Sequence, residues 1–104
     1  MPKYLIEASY TAAGLKTLAK NKAVGRKAAV AEAVKALGGK LEAFYYAFGK
    51  HDVIAIVEFP DNVSASSLSL TVSASGIAKT ITTPLLAVEE VDRALQKTVK
   101  YQSA

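Results

Sequence analysis

The side chains in this sequence that could do chemistry are few, and the most suggestive pair is His51 followed by Asp52. A histidine oriented by a carboxylate is a common general base, so the pair is a candidate for proton transfer. Neighbouring residues of an extended chain point to opposite faces, however, and the pair lies in the short segment "GKHD" at 49–52. We therefore interpret both residues first as turn residues.

Metal and cofactor chemistry have little support in the composition. The chain has one histidine and no cysteine, so we predict no metal site and no cysteine nucleophile. It contains no glycine-rich phosphate-binding motif, and "SASG" at 73–76 lacks the leading glycine of a nucleophile elbow. We therefore predict that the protein uses no cofactor.

Two glutamates, Glu7 and Glu58, are the other candidates for acid–base chemistry. Each falls in a stretch with the alternation of a strand. If they lay across neighbouring strands they would share a proton, and the pKa of one would rise. The alternative is that both carboxylates stand at wet ends of a sheet, because paired buried carboxylates are uncommon.

A basic segment, "KTLAKNKAVGRK" at 16–27, is the main concentration of charge. Residues 1–40 carry eight basic and two acidic residues, a net charge of +6, whereas residues 41–104 carry five and seven, a net charge of −2. The segment could attract phosphate or nucleic acid, and Arg26 at a helix start is an anion-binding candidate. No aromatic residue is interleaved with its cations, so we interpret it as a solvated helical face and do not favour nucleic-acid binding.

The elements that must position these residues are clear along most of the chain. Alternation predicts a first strand over Lys3–Tyr10, and Thr11 suits the N-cap of a helix that begins at Ala12. We expect a break or kink at Gly25, and an end of the helical region at 38–39, "GG". The other predicted elements are a second strand over Lys40–Phe48, a third over 52–59, a fourth over Ala78–Leu85 and a last helix over Val88–Val99.

One stretch, "SSLSLTVSASG" at 66–76, has the alternation of a strand, yet we assign it to a helix. Its length of about 13 residues with the preceding turn suits a helix better than a typical strand. Asp61 offers an N-cap and Gly76 a stop. The helix completes a βαββαβ order, the ferredoxin-like plan, whose connection between strands three and four must be helical. We therefore predict an α+β fold with a four-stranded antiparallel sheet, helices on one face and one appended C-terminal helix.

Both faces of that sheet are expected to be apolar. Because the two crossover helices cover one face only, the other needs the last helix, a second subunit or a ligand. Continued alternation assigns to this second face Leu5, Glu7, Ser9, Phe44, Tyr46, Ile54, Ile56 and Glu58. A mostly apolar surface with a few polar groups is typical of a small-molecule site. The ligand-binding candidates are Glu7, Phe44, Tyr46, Ile56 and Glu58.

The length and composition fit one domain over residues 1–104 with a real core. The N-terminus reads as a strand with no apolar leader, and the longest aliphatic run, 53–57, is far short of a membrane span. We expect a cytoplasmic protein with no membrane association.

A longer stretch, "GRKAAVAEAVKALGGKLEAFYYAFGKHDVIAIVEFPDN" at 25–62, resembles the GYD-domain family, and "KYLIEASYTAAGLK" and "KTITTPLL" fit the same layout. The family is named for a Gly-Tyr-Asp-type signature between strands two and three. Here that place holds Gly49, His51 and Asp52, with the histidine where the tyrosine would be. The resemblance implies a ferredoxin-like domain related to dimeric α/β barrels, and it brings no established reaction with it.

Three function classes follow from these patterns. The preferred hypothesis is a non-catalytic homo-oligomer that binds a small, partly apolar ligand on the second sheet face. The alternative is a cofactor-free enzyme of the dimeric α/β-barrel type acting on such a ligand, a fold-level analogy. The third is a phosphate or nucleic-acid binder that uses the segment 16–27.

Overall fold

The computed structural model describes residues 1–102, in which four strands and three helices follow the order βαββαβα. The elements are β1 (Lys3–Tyr10), α1 (Ala12–Ala36), β2 (Lys40–Tyr46), β3 (Val53–Glu58), α2 (Asn62–Ser75), β4 (Ala78–Leu85) and α3 (Val88–Leu95). The predicted α+β, ferredoxin-like class is therefore confirmed. A single domain over 1–104 stays a prediction, and its last two residues lie outside the described range.

All neighbouring strands of the sheet are antiparallel, and their order is β2-β3-β1-β4. One face, the helix-covered face, carries the buried residues Tyr4, Ile6, Ala8, Val53, Ala55, Val57 and Ala78. The residues that alternate with them form the open face, which includes Leu5, Glu7, Ser9, Tyr45, Ile54, Ile56, Glu58 and Ile81. The core lies between the helix-covered face and the two crossover helices. Helix α1 contributes Val34 to this core, and α2 contributes Ala65 and Leu68.

The alternating stretch at 66–76 is helical, as the chain order required. The carboxylate of Asp61 accepts a hydrogen bond from the backbone N–H of Ser64 at 2.8 Å, which caps the first turn. The same bond lowers the pKa of the Asp61 carboxyl. Gly76 ends α2 in the left-handed region at φ 74°. The two caps and the burial of Ala65 and Leu68 thus stabilise a helix here in spite of the strand-like alternation.

The break in α1 is not at Gly25, where we expected it, but at Lys22, whose φ of 65° and ψ of 167° are non-helical. Gly25 lies one turn further on, inside the second segment of the helix. A Cβ at Gly25 would stand 3.3 Å from the Cβ of Asn21. The glycine therefore gives room to the chain before the kink instead of forming the kink itself.

A β-bulge in β2 changes which side chains share a face. Leu41 pairs with Val57, but Ala43 pairs with Ile56, so two steps along β2 match one step along β3. Directly paired residues of an antiparallel sheet point to the same face. From the bulge onward every side chain of β2 has therefore changed face.

The expected placement of Phe44 and Tyr46 on the open face is wrong for this reason. Phe44 pairs with Ala55 and Tyr46 with Val53, both on the helix-covered face. Tyr45 takes the open-face position instead, opposite Ile54. The alternation of β2 does not reveal the extra residue, because the residues on both sides of this strand are largely apolar or aromatic.

Three predicted ends also differ from the structure. β2 stops at Tyr46, two residues early, β3 is one residue shorter at each end, and α3 stops at Leu95 instead of Val99. No residue of α3 is buried, so nothing in the described chain packs against its last turn and prolongs it. No helix within residues 1–102 has the length and apolar character needed to cross a bilayer.

Candidate functional site

A cavity of about 70 Å³, the sheet–helix cavity, lies between the helix-covered face, α1 and α2. Small side chains on the sheet, Ala8, Ala55 and Ala78, explain why space remains there, since larger residues at these positions would fill it. A single water needs about 10–15 Å³ and benzene about 150 Å³, so the space admits a molecule smaller than a benzene ring. The cavity is therefore a candidate ligand site in the described part of the chain.

Polar groups of the sheet–helix cavity come from both the helices and β4. Arg26 borders it from α1, and Thr82 borders it from β4. The Nε atom of Arg26 and the Oγ1 atom of Thr82 are buried, and neither has a hydrogen-bond partner among the described residues. Ser69 and Thr80, which also line the cavity, satisfy each other through a hydroxyl–hydroxyl bond of 2.9 Å. Buried polar atoms without a partner are rare in folded proteins, so the Arg26 and Thr82 atoms mark the cavity as unusual.

Two aromatic residues of β2 form one end of this region. Phe44 lines the cavity, and its ring meets that of Tyr46 edge to face with centroids 5.3 Å apart. The Tyr46 hydroxyl donates to the Ala23 carbonyl at 3.1 Å, next to the α1 kink. Burial, and after it the neighbouring phenol of Tyr10, raises the pKa of Tyr46 to about 12. Tyr46 thus joins β2 to α1 as a neutral phenol, and it does not lie on the open face.

The open face carries a separate polar cluster, formed by Glu7, Ser9 and His51. Ser9 Oγ lies 3.2 Å from His51 Nδ1, and Glu7 Oε2 lies 3.4 Å from His51 Nε2. The tautomer with its proton on Nε2 would donate toward Glu7 and accept from the Ser9 hydroxyl. Glu7 and Ser9 are two positions apart on β1, so both side chains lie on the open face, where they contact His51. The cluster has the groups needed to hold and pass a proton.

Asp52 does not orient His51. Its carboxylate accepts from the backbone N–H of Tyr10 at 2.8 Å, and its own N–H donates to the Ala8 carbonyl at 2.8 Å. Its side chain and backbone therefore fasten the β2–β3 link to the end of β1. Gly49 is exposed in that link, and a Cβ there would have nothing within 4 Å. No close approach explains the glycine.

Glu58 and Glu7 share the open face, but they are not neighbours across the strands. Glu58 pairs with Lys3 and Glu7 pairs with Ile54, so four residues, about 13 Å of strand, separate them. The hypothesis of a shared proton is therefore wrong. Ile56 lies between them, half-buried on the same face. Of the five ligand-binding candidates, Glu7, Ile56 and Glu58 lie on the open face, and Phe44 and Tyr46 do not.

The basic segment 16–27 spans the α1 kink. Lys16, Lys20, Lys22 and Lys27 are exposed, whereas Arg26 is half-buried against the cavity. A role of the exposed lysines toward phosphate or nucleic acid stays a prediction. Arg26 differs from them because its side chain belongs to an enclosed site.

The sequence did not single out Ser9, Tyr10 or Thr82 as site residues. Ser9 had a detectable signal, since it shares the parity of Glu7 on β1. Thr82 had none, because an alternating threonine in a strand is ordinary. Within residues 1–102 no three histidine, cysteine, aspartate or glutamate side chains converge, so no metal centre is formed by the described side chains.

Comparisons with known proteins identify a family for this chain and no site residues. The model of the GYD domain matches residues 4–95, a range that runs from β1 to the end of α3. No curated protein and no solved structure shows a significant match. The match covers most of the chain, and the chain therefore belongs to the GYD domain family.

Proposed function

We propose that this GYD-domain protein is a non-catalytic homo-oligomer that binds a small, partly apolar ligand in the sheet–helix cavity. The observation that carries the proposal is the cavity itself, with its apolar wall and the two unpartnered atoms of Arg26 and Thr82. Ligand sites are typically enclosed, mostly apolar and equipped with a few placed polar groups. The ligand then lies beneath the helices, not on the open face that the sequence favoured.

The open face has a different role in this proposal, as the surface for a second copy of the chain. Ile54, Tyr45 and Ile81 keep 36%, 69% and 52% of their surface exposed there. The helix α3 separately exposes Val88, Val91 and Leu95. Large exposed apolar side chains commonly mark an interface. The dimeric assembly expected from the sequence, and a cytoplasmic location, are parts of this proposal.

An enzyme acting on a small substrate is the second candidate, because the cluster of Glu7, Ser9 and His51 could transfer a proton. A positioned acid or base contributes about 10²–10⁴ in rate. His51→Gln would remove that contribution from any turnover and would leave ligand binding in the cavity unchanged. A loss of turnover in this variant would support the enzyme, whereas a wild-type chain without turnover would support the binding protein.

Ligand binding is tested with ethanol as a neutral probe small enough for the cavity, and binding is followed by ligand-observed NMR. The wild-type chain should bind it, and Val72→Phe should not, because the larger ring fills the sheet–helix cavity that Val72 lines. Val63→Phe makes the same change on the exposed side of α2 and should bind as the wild type does. Absence of binding to the wild type, or equal binding to both variants, would contradict the proposal.

Self-association is tested separately by light scattering at micromolar concentration. A chain of 10.9 kDa should give a particle of at least twice that mass. A particle with the mass of one chain would refute the proposed assembly and would leave the proposed ligand site untested by this measurement.

A further inference from the structure

We propose that the sheet–helix cavity is selective for a small monocarboxylic acid, with the carboxylate bound by Arg26 and the apolar body lying against the sheet. This inference rests on the proposed function, because it names the class of ligand for the same cavity. It is carried by the charge of the cavity wall, the hydrogen-bonding state of Arg26 and the size of the space.

The wall of the cavity carries one positive charge and no negative one. Arg26 is the sole lining residue with a side chain that is ionised at neutral pH, since the others are aliphatic, aromatic or hydroxyl-bearing. Among the described residues Lys3 pairs with Glu42, Glu7 lies beside His51, and no carboxylate of residues 1–102 lies within ion-pair distance of Arg26. Arg26 therefore borders the cavity without a carboxylate of the described chain beside it.

The hydrogen-bonding state of Arg26 indicates what the missing partner should be. Its Nε atom is buried and has no acceptor within residues 1–102. A guanidinium binds a carboxylate through two parallel N–H···O bonds, and one of its two-pronged edges uses Nε with a terminal nitrogen. A carboxylate in the cavity would supply the acceptor that Nε lacks.

The rest of the wall argues for a single charge on an apolar body. The floor is built from alanine and valine of β1 and β3, and Leu68 and Val72 close it from α2. A phosphate group brings more charge and more acceptor oxygens than one guanidinium and a few hydroxyls can satisfy, and burial of unsatisfied charge is costly. A carboxylate beside a small aliphatic group matches both parts of the wall. The buried hydroxyl of Thr82 can donate to a ligand oxygen as a second contact.

The experiment compares acetate with ethanol, which have similar size and differ in charge, by ligand-observed NMR titration at pH 7. The wild-type chain should bind acetate at least about tenfold more tightly than the alcohol, a difference of about 1.4 kcal/mol. Arg26→Gln should reduce this ratio to about one, because it removes the charge that favours acetate. Lys27→Gln removes the same charge from the neighbouring exposed residue and should preserve the ratio.

Other outcomes have distinct meanings. Equal binding of acetate and the alcohol to the wild type would overturn the carboxylate proposal and leave the proposed ligand cavity standing, whereas binding of neither would overturn both. Inorganic phosphate that displaces acetate at equal concentration would also overturn the carboxylate proposal. If Arg26→Gln fails to fold, Arg26→Lys keeps the charge without the planar fork. That variant should lose most of the preference for acetate, and an unchanged preference would contradict the assignment to Arg26.

Discussion

On the helix-covered face of the sheet Tyr4 keeps 2% of its surface exposed, whereas on the open face Tyr45 keeps 69%. The first tyrosine also donates its hydroxyl to the Asn62 side chain at 2.6 Å, and no hydrogen bond of the Tyr45 hydroxyl is found in the described chain. The same residue type thus serves the folding of the chain on one face and stays available to another molecule on the other. The contrast teaches that an apolar strand residue acquires its role from what covers its face.

The cavity sharpens this comparison, because the helix-covered face is not uniformly packed. At one end Tyr4 and Phe59 meet with ring centroids 6.0 Å apart, and Val57 and Phe59 are fully buried. At the other end the floor is alanine, and the sheet–helix cavity remains. A covered face can therefore contain both a close-packed core and a candidate ligand site. In a single chain the open face contains neither of them.

The largest expected effect contrasts the two tyrosines. Tyr4→Ala should lower the free energy of unfolding by about 3–5 kcal/mol, the range for a buried aromatic residue that leaves a cavity. Tyr45→Ala should change it by no more than about 0.5 kcal/mol in the monomer. Urea denaturation measures both, at a chain concentration low enough to prevent association. Equal losses for the two variants would mean that the open face is covered within one chain.

A smaller effect is expected for assembly. Ile54→Asp places a charge in the middle of the open face and should raise the dissociation constant of the oligomer at least about tenfold, which corresponds to about 1.4 kcal/mol. Sedimentation over a range of concentrations measures the change. Val63→Asp is the control, since it makes a similar change on exposed α2. A dissociation constant unchanged by Ile54→Asp would show that the interface does not include this part of the open face.

Two threonines of β4 test the cavity on the helix-covered face. Thr80→Val breaks the hydroxyl bond to Ser69 and should lower the free energy of unfolding by about 1 kcal/mol. Thr82→Val removes a buried hydroxyl that has no partner among the described residues, so it should leave stability unchanged or raise it. Paired thermal and urea denaturation distinguishes the variants. A larger loss for Thr82→Val would show that its hydroxyl is bonded in solution.

The smallest effect is a dependence of stability on alkaline pH. The pKa of Tyr46 is raised to about 12 in the folded chain from its ordinary value of 10.0, so between these values the folded state keeps a proton that the unfolded state has lost. Stability from this group is complete below pH 10 and falls as pH rises toward 12. Tyr46→Phe should flatten that fall, with Tyr45→Phe as the control on the opposite face. Equal slopes for both variants in denaturation at pH 9–12 would contradict the assignment.

Local patterns were sufficient for most of the fold. Alternation in β1 and β3 placed Glu7, Ile56 and Glu58 on the correct face, since a regular strand has a period of two. The caps Asp61 and Gly76 predicted α2 against its own alternation. Family membership likewise followed from segments of the chain and is confirmed over residues 4–95.

The candidate site was predicted less well, because it depends on single-residue events and on distant contacts. The extra residue between Leu41 and Ala43 moved Phe44 and Tyr46 to the other face. The kink lies at Lys22 instead of Gly25. Neither event changes the composition or the hydrophobic pattern of its segment, so neither has a signal in a single sequence.

The sequence by itself determined the order of strands and helices, the caps, the parity of β1 and β3, and the excess of apolar residues for one core to bury. These properties depend on neighbours within a few positions, where sterics and hydrogen bonds are local. Only the tertiary structure decided that His51 meets Glu7 and Ser9, which lie 44 and 42 positions earlier, and that Arg26 and Thr82 border one cavity. Such contacts depend on the register of paired strands and on how closely small side chains let a helix approach the sheet, and both are settled by the packing of the whole chain.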